Sequence, residues 1–337
     1  MSRVNVKIGD IRRRYQFAAK FRNRIREVFS EMKAPDVVPR VFDALQTRNA
    51  LPYTMLCDAI AEVLEAHRTG RVIAPERLVV SLHGQGTLLL MPASDERTAI
   101  TKFVTVHPKN RAKQLPTIQG EVIVFETTTG KRLGILDGVT VTARRTAALS
   151  ALAARSLAPD PSGPLLVIGA GTQARSHLEA YREVLAVEEA YIYSRTRAHA
   201  EELADYAGSI GVQAEVTDDP ESDAAEVTLI VTATNSDFPV LDGRYLRNNA
   251  FISAVGAFTP AMAELSADLV HRCRLFVDTL EGARAEAGDY IQAKVDWTRV
   301  LPLVEAMHRP KPGKGPVIFK SVGHAMFDLA AARLVFA

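Results

Sequence analysis

The chain contains little cysteine and no long apolar run, and both shortages restrict what it can be. Its two cysteines, Cys57 and Cys273, lie far apart, so the sequence predicts neither a disulfide framework nor a metal site. No apolar stretch approaches the roughly 18 residues that a membrane-spanning helix needs. These absences favour an ordinary globular protein with no membrane partner, and we expect it in the reducing cytoplasm.

Net charge is also small, but it is distributed unevenly. The 337 residues carry a formal charge of +2, whereas residues 1–40 hold eleven lysines and arginines against four acids and are therefore +7. A basic arm can bind nucleic acid, line a membrane surface or act as a transit peptide. No aromatic platform or nucleic-acid recognition motif accompanies this one. We therefore expect a poorly ordered basic extension over residues 1–45 and no nucleic-acid partner.

The strongest positive signal is a glycine turn between a short apolar strand and a helix. Leu165–Ile168 is followed by Gly169-Ala170-Gly171-Thr172-Gln173-Ala174 and then by a helix-like segment over 175–184. In such a turn Gly169 makes the bend, Gly171 lets the backbone approach a pyrophosphate, and the small Ala174 lets the helix pack on the strand. The order of strand, glycine turn and helix predicts a dinucleotide-binding site.

The patterns on either side of this turn predict two domains of an α/β fold. Before it, a helix over 53–67, several strand-like runs and an alanine-rich helix over 140–157 indicate a mostly antiparallel α+β domain. After it, strands alternate with helices, which is typical of a parallel Rossmann sheet. We expect a Rossmann domain over residues 159–316, inserted in a discontinuous α+β domain made of residues 46–158 and 317–337.

The end of the second Rossmann strand bears on cofactor choice. NAD-binding proteins usually place an acid there to accept hydrogen bonds from the ribose 2′-hydroxyl. Here the strand over 190–193 continues into Ser194-Arg195-Thr196-Arg197, which contains no acid. An arginine flanked by hydroxyls suits a 2′-phosphate. The loop favours NADPH over NADH, although a solvated surface loop would look similar.

Three cations in the first domain are candidates for binding an anion. Lys102 lies in an apolar strand-like run, where period-2 alternation places it on the inward face with Ile100 and Val104. Burying a lysine is costly unless it meets an anion. Arg145 lies in the alanine-rich helix and Arg77 precedes another strand. Each cation taken alone is also compatible with a snorkelling or surface position.

A series of segments, in order along the chain, resembles the ornithine cyclodeaminase/mu-crystallin family. The segments are Met91–Ala93, Lys102–Val104, Pro108–Asn110, Leu115–Pro116, Val122–Phe125, Thr129–Gly130, Leu136–Gly138, Thr142–Ala148, Gly169–Ala174, Ala254–Gly256 and Phe319–Gly323. The resemblance covers about residues 50–337. It implies a homodimer in which the discontinuous domain binds substrate and forms the dimer contact.

The resemblance also implies roles for matching positions. It implies that the substrate carboxylate is bound by Arg77, Lys102 and Arg145, and that Lys102 is the candidate catalytic residue. The implied cofactor contacts are Arg145, Thr146, Gly169, Ala170, Gly171, Thr172, Gln173, Ser194, Arg195, Thr196, Thr234, Val255, Gly256 and Ser321. No metal is implied.

One departure from the family pattern concerns the reaction. Phe258 stands where ornithine cyclodeaminases carry an aspartate that handles protons on the substrate amine, and without it their reaction loses its expected base. The segment Gly256–Pro260 resembles instead bacterial reductases of Δ1-piperideine-2-carboxylate and Δ1-pyrroline-2-carboxylate, which form L-pipecolate and L-proline. We therefore expect an NADPH-dependent ketimine reductase, with solvent or Lys102 as the proton donor. The alternatives are ornithine cyclodeamination, alanine dehydrogenation, or an NADPH-loaded binding protein like mu-crystallin.

Overall fold

Two β-sheets organise the residues that the computed structural model describes, which are 39–311, 313 and 315–336. The smaller sheet has six strands in the order β1-β6-β5-β4-β3-β2, and every pairing but that of β1 with β6 is antiparallel. Its elements are β1 (Arg40–Phe42), α1 (Ala44–Asn49), α2 (Tyr53–Arg68), β2 (Leu78–Leu82), β3 (Gly86–Ser94), β4 (Thr98–Val106), β5 (Ile118–Glu126), β6 (Arg132–Asp137) and α3 (Gly138–Leu157). The predicted mostly antiparallel sheet is confirmed.

The larger sheet has eight parallel strands in the order β13-β12-β14-β11-β10-β7-β8-β9. Its strands and helices are β7 (Leu165–Ile168), α4 (Thr172–Leu185), β8 (Glu189–Tyr193), α5 (Arg197–Ser209), β9 (Gln213–Val216), α6 (Pro220–Asp223), β10 (Leu229–Thr232), β11 (Phe251–Ala254), α7 (Ala267–Arg272), β12 (Arg274–Val277), α8 (Leu280–Glu286), α9 (Gly288–Gln292), β13 (Val300–Pro302), α10 (Leu303–Ala306), β14 (Val317–Lys320) and α11 (Ala325–Phe336). The parallel Rossmann sheet expected after the glycine turn is present.

Apolar residues cover both faces of the larger sheet, as a parallel sheet requires. In β7, Leu165 and Val167 belong to one core, which extends to the smaller sheet. Leu166 and Ile168 belong to a second core on the opposite face. Helix α3 lies between the two halves, because its many alanines let it pack closely against both α2 and α4. No helix in the described ranges combines the length and apolar character that crossing a membrane requires.

The last part of the chain divides between the two sheets. Residues 317–337 were expected to return together to the first domain. Strand β14 instead pairs with β11 and β12 inside the larger sheet, and only α11 packs on the smaller sheet, against β3 and β4. The physical reason is visible in β14, whose four residues are all buried, as suits a central parallel strand.

The expected basic extension also differs at its C-terminal end. Arg40–Phe42, which the sequence analysis placed in a poorly ordered segment, forms β1 and pairs with β6. Helix α1 follows at once, capped by Asp43, whose side chain accepts a hydrogen bond from the Gln46 amide at 2.8 Å. A three-residue strand leaves too short a pattern to recognise from sequence. Residues 1–38 lie outside the described part of the chain.

Candidate active site

The glycine turn lies at the carboxyl end of β7, where open parallel sheets bind ligands. Gly169 has a φ of +118°, and a Cβ atom there would come within 2.5 Å of the Ala233 carbonyl oxygen. At Gly171, in contrast, no described atom lies within 4 Å of the position of a Cβ, so backbone can be approached from outside. These two positions behave as the dinucleotide motif predicts.

The first turn of α4 offers unused polar groups at the same place. Its N-cap, Gly171, provides no side chain to accept from the first amides of the helix. The Oε1 atom of Gln173 is buried and has no hydrogen-bond partner among the described residues. Ala170 and Thr172 flank this turn, with Thr172 exposed. Free amides at a helix N-terminus favour an anion, and this geometry therefore fits the pyrophosphate of a dinucleotide.

The loop after β8 presents one uncommitted arginine. Arg197 is held by Glu201, Nε to Oε1 at 3.0 Å, and by Asp218, Nη1 to Oδ2 at 2.7 Å. Arg195 is exposed and has no hydrogen bond or ion pair with any described residue. Ser194 and Thr196 stand on either side of it. The loop thus presents one cation without a partner among the described residues, flanked by two hydroxyl side chains.

A buried carboxylate joins the loops that follow β10 and β11. Glu264 is fully buried, and its Oε1 atom accepts from the Thr234 amide at 2.6 Å and from the Thr234 hydroxyl at 2.9 Å. Its Oε2 atom accepts from the Gly256 amide at 2.7 Å and from the Ala257 amide at 3.2 Å. Burial raises the pKa of Glu264. Thr234, Val255 and Gly256, all predicted cofactor positions, therefore lie together at the carboxyl edge of the sheet.

A second buried carboxylate holds the loop that follows β14. The Oδ2 atom of Asp278 accepts from the Ser321 hydroxyl at 2.8 Å and from the amides of Val322 at 3.0 Å and Gly323 at 2.8 Å. Its Oδ1 atom accepts from the Thr279 amide at 2.7 Å. Ser321 is thereby fixed at the same edge as the glycine turn.

The structure brings Arg77, Lys102 and Arg145, here called the cation cluster, together beside this loop. Arg77 donates to the Gly323 carbonyl oxygen at 3.1 Å. A Cβ atom at Gly323 would lie 3.0 Å from Nη2 of Arg145, so the missing side chain makes room for that guanidinium. Lys102 is 2% exposed and shares its strand face with the buried Ile100 and Val104, which confirms the predicted alternation. Thr146 is buried beside Arg145 on α3.

Two carboxylates that the sequence analysis did not identify pair with the cluster. Asp328 is fully buried and lies 2.8 Å from Lys102 Nζ through Oδ2 and 3.4 Å from Arg145 Nε through Oδ1. Glu286 lies 2.9 Å from Arg77 Nη2. These five groups carry three positive and two negative charges, which leaves one positive charge unbalanced within the set. Two of the three cations are guanidiniums, whose planar donors match a carboxylate.

Lys102 can exchange a proton near neutral pH. Burial lowers its pKa to about 8, Asp328 opposes that shift, and Arg145 adds to it. His324 lies near the same groups, half-buried, with its ring 5.8 Å from that of His67, and burial lowers its pKa. Asp328 could have been suspected from sequence, because it is an acid within the otherwise apolar run 325–332. His324 and Glu286 carry no such signal.

Phe258 lies on the loop after β11, at the edge where the cofactor and cation positions meet, and its side chain is 51% exposed. The segment Gly256–Pro260 around it contains no carboxylate. Glu264, the nearest acid along the chain, points away from solvent and is committed to the two loops.

The chain is similar to several known proteins. The chain is 41% identical to Δ1-pyrroline-2-carboxylate reductase 1 of Burkholderia multivorans, over 87% of this chain and 94% of that protein. It is 39% identical to the Δ1-pyrroline-2-carboxylate/Δ1-piperideine-2-carboxylate reductase of Azospirillum brasilense, over 90% of this chain and 96% of that protein. The structure of Thermococcus litoralis Δ1-pyrroline-2-carboxylate reductase with NADH and L-proline superposes with a TM-score of 0.82 at 26% identity, over 88% of this chain and 96% of that chain.

These likenesses confirm the predicted fold class, an α/β fold that contains a Rossmann sheet. The model of one protein family matches residues 38–337, which includes every candidate site residue named above. The chain therefore belongs to the ornithine cyclodeaminase/mu-crystallin family.

Proposed function

We propose that this protein reduces cyclic ketimine carboxylates, converting Δ1-pyrroline-2-carboxylate to L-proline and Δ1-piperideine-2-carboxylate to L-pipecolate, with NADPH. The observation that carries the proposal is the cation cluster, whose three cations lie together beside the carboxyl edge of the Rossmann sheet. The names of the Burkholderia and Azospirillum relatives support the substrate class. We assign substrate binding to the half built on the smaller sheet and cofactor binding to the larger sheet.

Substrate positioning follows from the two arginines. Each guanidinium offers a planar fork of donors that matches a carboxylate. Arg77 donates to Glu286 and to the Gly323 carbonyl, and Arg145 lies within ion-pair distance of Asp328. Reduction of an imine depends chiefly on such positioning.

A reduced nicotinamide bound at that edge would supply the hydride that adds to the imine carbon. The imine nitrogen then needs one proton, which an iminium substrate already carries. For an imine that arrives unprotonated, Lys102 Nζ is the candidate donor, because its pKa of about 8 leaves it largely protonated at neutral pH and able to release the proton. Phe258 leaves the segment Gly256–Pro260 without a carboxylate that could accept a proton from a substrate amine.

The preference for NADPH rests on Arg195. A free guanidinium on the loop after β8 suits a 2′-phosphate, and the neighbouring acids Glu201 and Asp218 are both paired with Arg197. NADH remains usable in this proposal but less preferred, since no described acid of the loop is free to accept from a ribose hydroxyl.

We also propose that two copies pair through the outer face of the smaller sheet. Leu78 pairs with Leu90 and Leu90 with Phe103, so the three form one row on the face opposite Lys102. Leu78 is 57% and Phe103 is 38% exposed, although both are apolar. Covering such a row favours association.

We propose a reducing cytoplasm as the location of the protein. Both cysteines are buried and unpaired, which supports this proposal.

The test is an NADPH-oxidation assay with both cyclic imines, with linear imines formed from a keto acid and an amine as comparison. We expect turnover of at least one cyclic imine and formation of the L-amino acid. Absence of turnover with both would refute the proposal. Ammonia release from ornithine would favour cyclodeamination, and tight NADPH binding without turnover would favour a binding protein.

A further inference from the structure

We propose that Glu264 is a positioning residue, which sets the spacing of the two loops that line the nicotinamide end of the cofactor site. The inference rests on the proposed dinucleotide site and adds a role for a residue that touches neither substrate cations nor solvent. Glu264 is fully buried.

The Glu264 carboxylate accepts hydrogen bonds from both loops. Oε1 accepts both hydrogen bonds from Thr234, on the loop after β10. Oε2 accepts from the amides of Gly256 and Ala257, on the loop after β11, and from the Thr232 hydroxyl at 3.0 Å. One rigid, planar group therefore determines the distance between the two loops.

The loops are in direct contact as well. A Cβ atom at Gly256 would lie 2.1 Å from the Thr234 carbonyl oxygen and 2.3 Å from Oε1 of Glu264. Only glycine permits so close an approach. Because no space remains between the loops, a change in the carboxylate is transmitted to both.

The backbone at Glu264 is held by Asp289, which also forms a buried ion pair with Lys320. Oδ1 of Asp289 accepts from the Glu264 amide at 2.6 Å and from the Leu265 amide at 2.9 Å. Oδ2 of Asp289 lies 2.7 Å from Nζ of Lys320, the last residue of β14. The network thus connects β10, β11 and β14, whose following loops carry Thr234, Val255 and Ser321.

The chemistry of this arrangement requires a carboxylate. Both oxygens face backbone N–H groups, which favour the ionised form, whereas burial opposes it. Burying charge is expensive, and a purely structural tie can be made more cheaply with apolar contacts. A glutamine would present its own N–H₂ group to one of the two loops and leave amide facing amide. Displacement of either loop would move the surface against which the nicotinamide ring lies, and shifts of about 1 Å can cost on the order of 100-fold in rate.

The experiment uses Glu264→Gln in the full-length protein, with equilibrium binding of NADPH and single-turnover hydride transfer as readouts. We expect the Kd for NADPH to rise at least about 10-fold and the single-turnover rate to fall about 100-fold, whereas the KM for the imine changes less than about 2-fold. An unchanged Kd and an unchanged rate would overturn the inference.

Tyr181→Phe is the matched control. It removes another buried hydrogen bond of the same sheet, between the Tyr181 hydroxyl and Ser253 Oγ at 2.8 Å, and we expect it to lower stability but to leave NADPH binding as in the wild type. If Glu264→Gln fails to fold, Thr232→Val removes a single donor to Oε2 and should raise the Kd by about 3-fold. A Thr232→Val protein that binds like Tyr181→Phe would contradict the role.

The binding readout separates this inference from the proposed function. A wild-type protein that binds NADPH and reduces neither imine would refute the reaction, but the effect of Glu264→Gln on Kd could still be measured. A wild-type protein that reduces imines, combined with a Glu264→Gln protein indistinguishable from Tyr181→Phe, would refute the positioning role alone.

Discussion

Lys102 and Asp328 form an ion pair of 2.8 Å, in which the lysine is 2% exposed and the aspartate is fully buried. The two residues come from β4 and α11, which are far apart in the chain. Burial disfavours both charges, and the pair persists because each supplies the other's counter-charge. The pair leaves the Lys102 pKa at about 8, close enough to neutrality for its protonation state to matter in function.

We predict that imine reduction by the wild-type protein declines above about pH 8. The protonated Lys102 is required both to attract the substrate carboxylate and to donate a proton, and its pKa of about 8 means that this form is lost as pH rises. The measurement is kcat/KM for the cyclic imine between about pH 6 and 10, in which the alkaline limb should fall about 10-fold per pH unit.

Lys102→Arg is the control for the alkaline decline in kcat/KM. A guanidinium stays protonated throughout the range and does not release its proton, so the variant should reduce only substrate that arrives protonated, at a lower rate, and should lose the decline caused by Lys102. A wild-type profile that stays flat to pH 10, or an unchanged limb in Lys102→Arg, would contradict the assignment.

We predict that Arg195→Asp shifts cofactor preference from NADPH towards NADH. The substitution removes a free cation and introduces an acceptor for a ribose hydroxyl, so the ratio of kcat/KM values should change by at least about 10-fold. Arg197→Ala is the matched control, because Arg197 is already paired with Glu201 and Asp218. Equal effects of the two substitutions would argue against a specific role for Arg195.

We predict that His177 makes the protein less stable in acid. The buried ring lies between the Gln173 carbonyl and Ser150 Oγ, and burial lowers its pKa from 6.5 to about 4. Between these two pKa values His177 is protonated in the unfolded chain but neutral in the folded protein. The free energy of unfolding therefore decreases as pH falls from 6.5 towards 4. Between about pH 7 and 5 this amounts to about 2 kcal/mol of unfolding free energy.

Urea unfolding at both pH values measures that loss, and His177→Gln shows which part belongs to this residue. The variant should be less stable at neutral pH but should lose about 2 kcal/mol less than the wild type on acidification. If both proteins lose stability equally, other groups are responsible.

We predict that Phe103→Asp weakens self-association. A charge at the β4 end of the apolar row opposes burial against a second copy, because the carboxylate would have to lose its water. Sedimentation at several protein concentrations should show a dimer for the wild type and a monomer for the variant. Tyr245→Asp is the control, since Tyr245 is 62% exposed on the other half of the protein. A dimer that survives Phe103→Asp would place the contact elsewhere.

The sequence predicted those elements that depend on residues close together in the chain. The glycine turn, the alternation around Lys102 and the long helix α3 follow from residues that are neighbours in sequence. Strands β1 and β13 have three residues each, and β9 has four, which is too short for a period to show. Residues 1–38 add nothing to this comparison, because they lie outside the described part of the chain.

The missed site residues are those whose role depends on distant partners. Glu264 acquires its function from loops that precede it, and Asp278 from a loop more than forty residues later, Oδ2 to the Gly323 amide. The position of β14 was missed for the same reason, because an apolar strand does not reveal which sheet it joins. These groups come together only when distant segments of the chain pack against each other in the folded protein.

The loop after β14 belongs to both halves of the proposed site at once. Ser321 lies at the cofactor edge, while Gly323 contacts Arg77 through its carbonyl oxygen and adjoins Arg145. A ligand on either side that alters this three-residue segment alters the other ligand's affinity by the same factor, because binding free energies are reciprocally linked. One short stretch of backbone thus contacts both the proposed cofactor edge and the cation cluster.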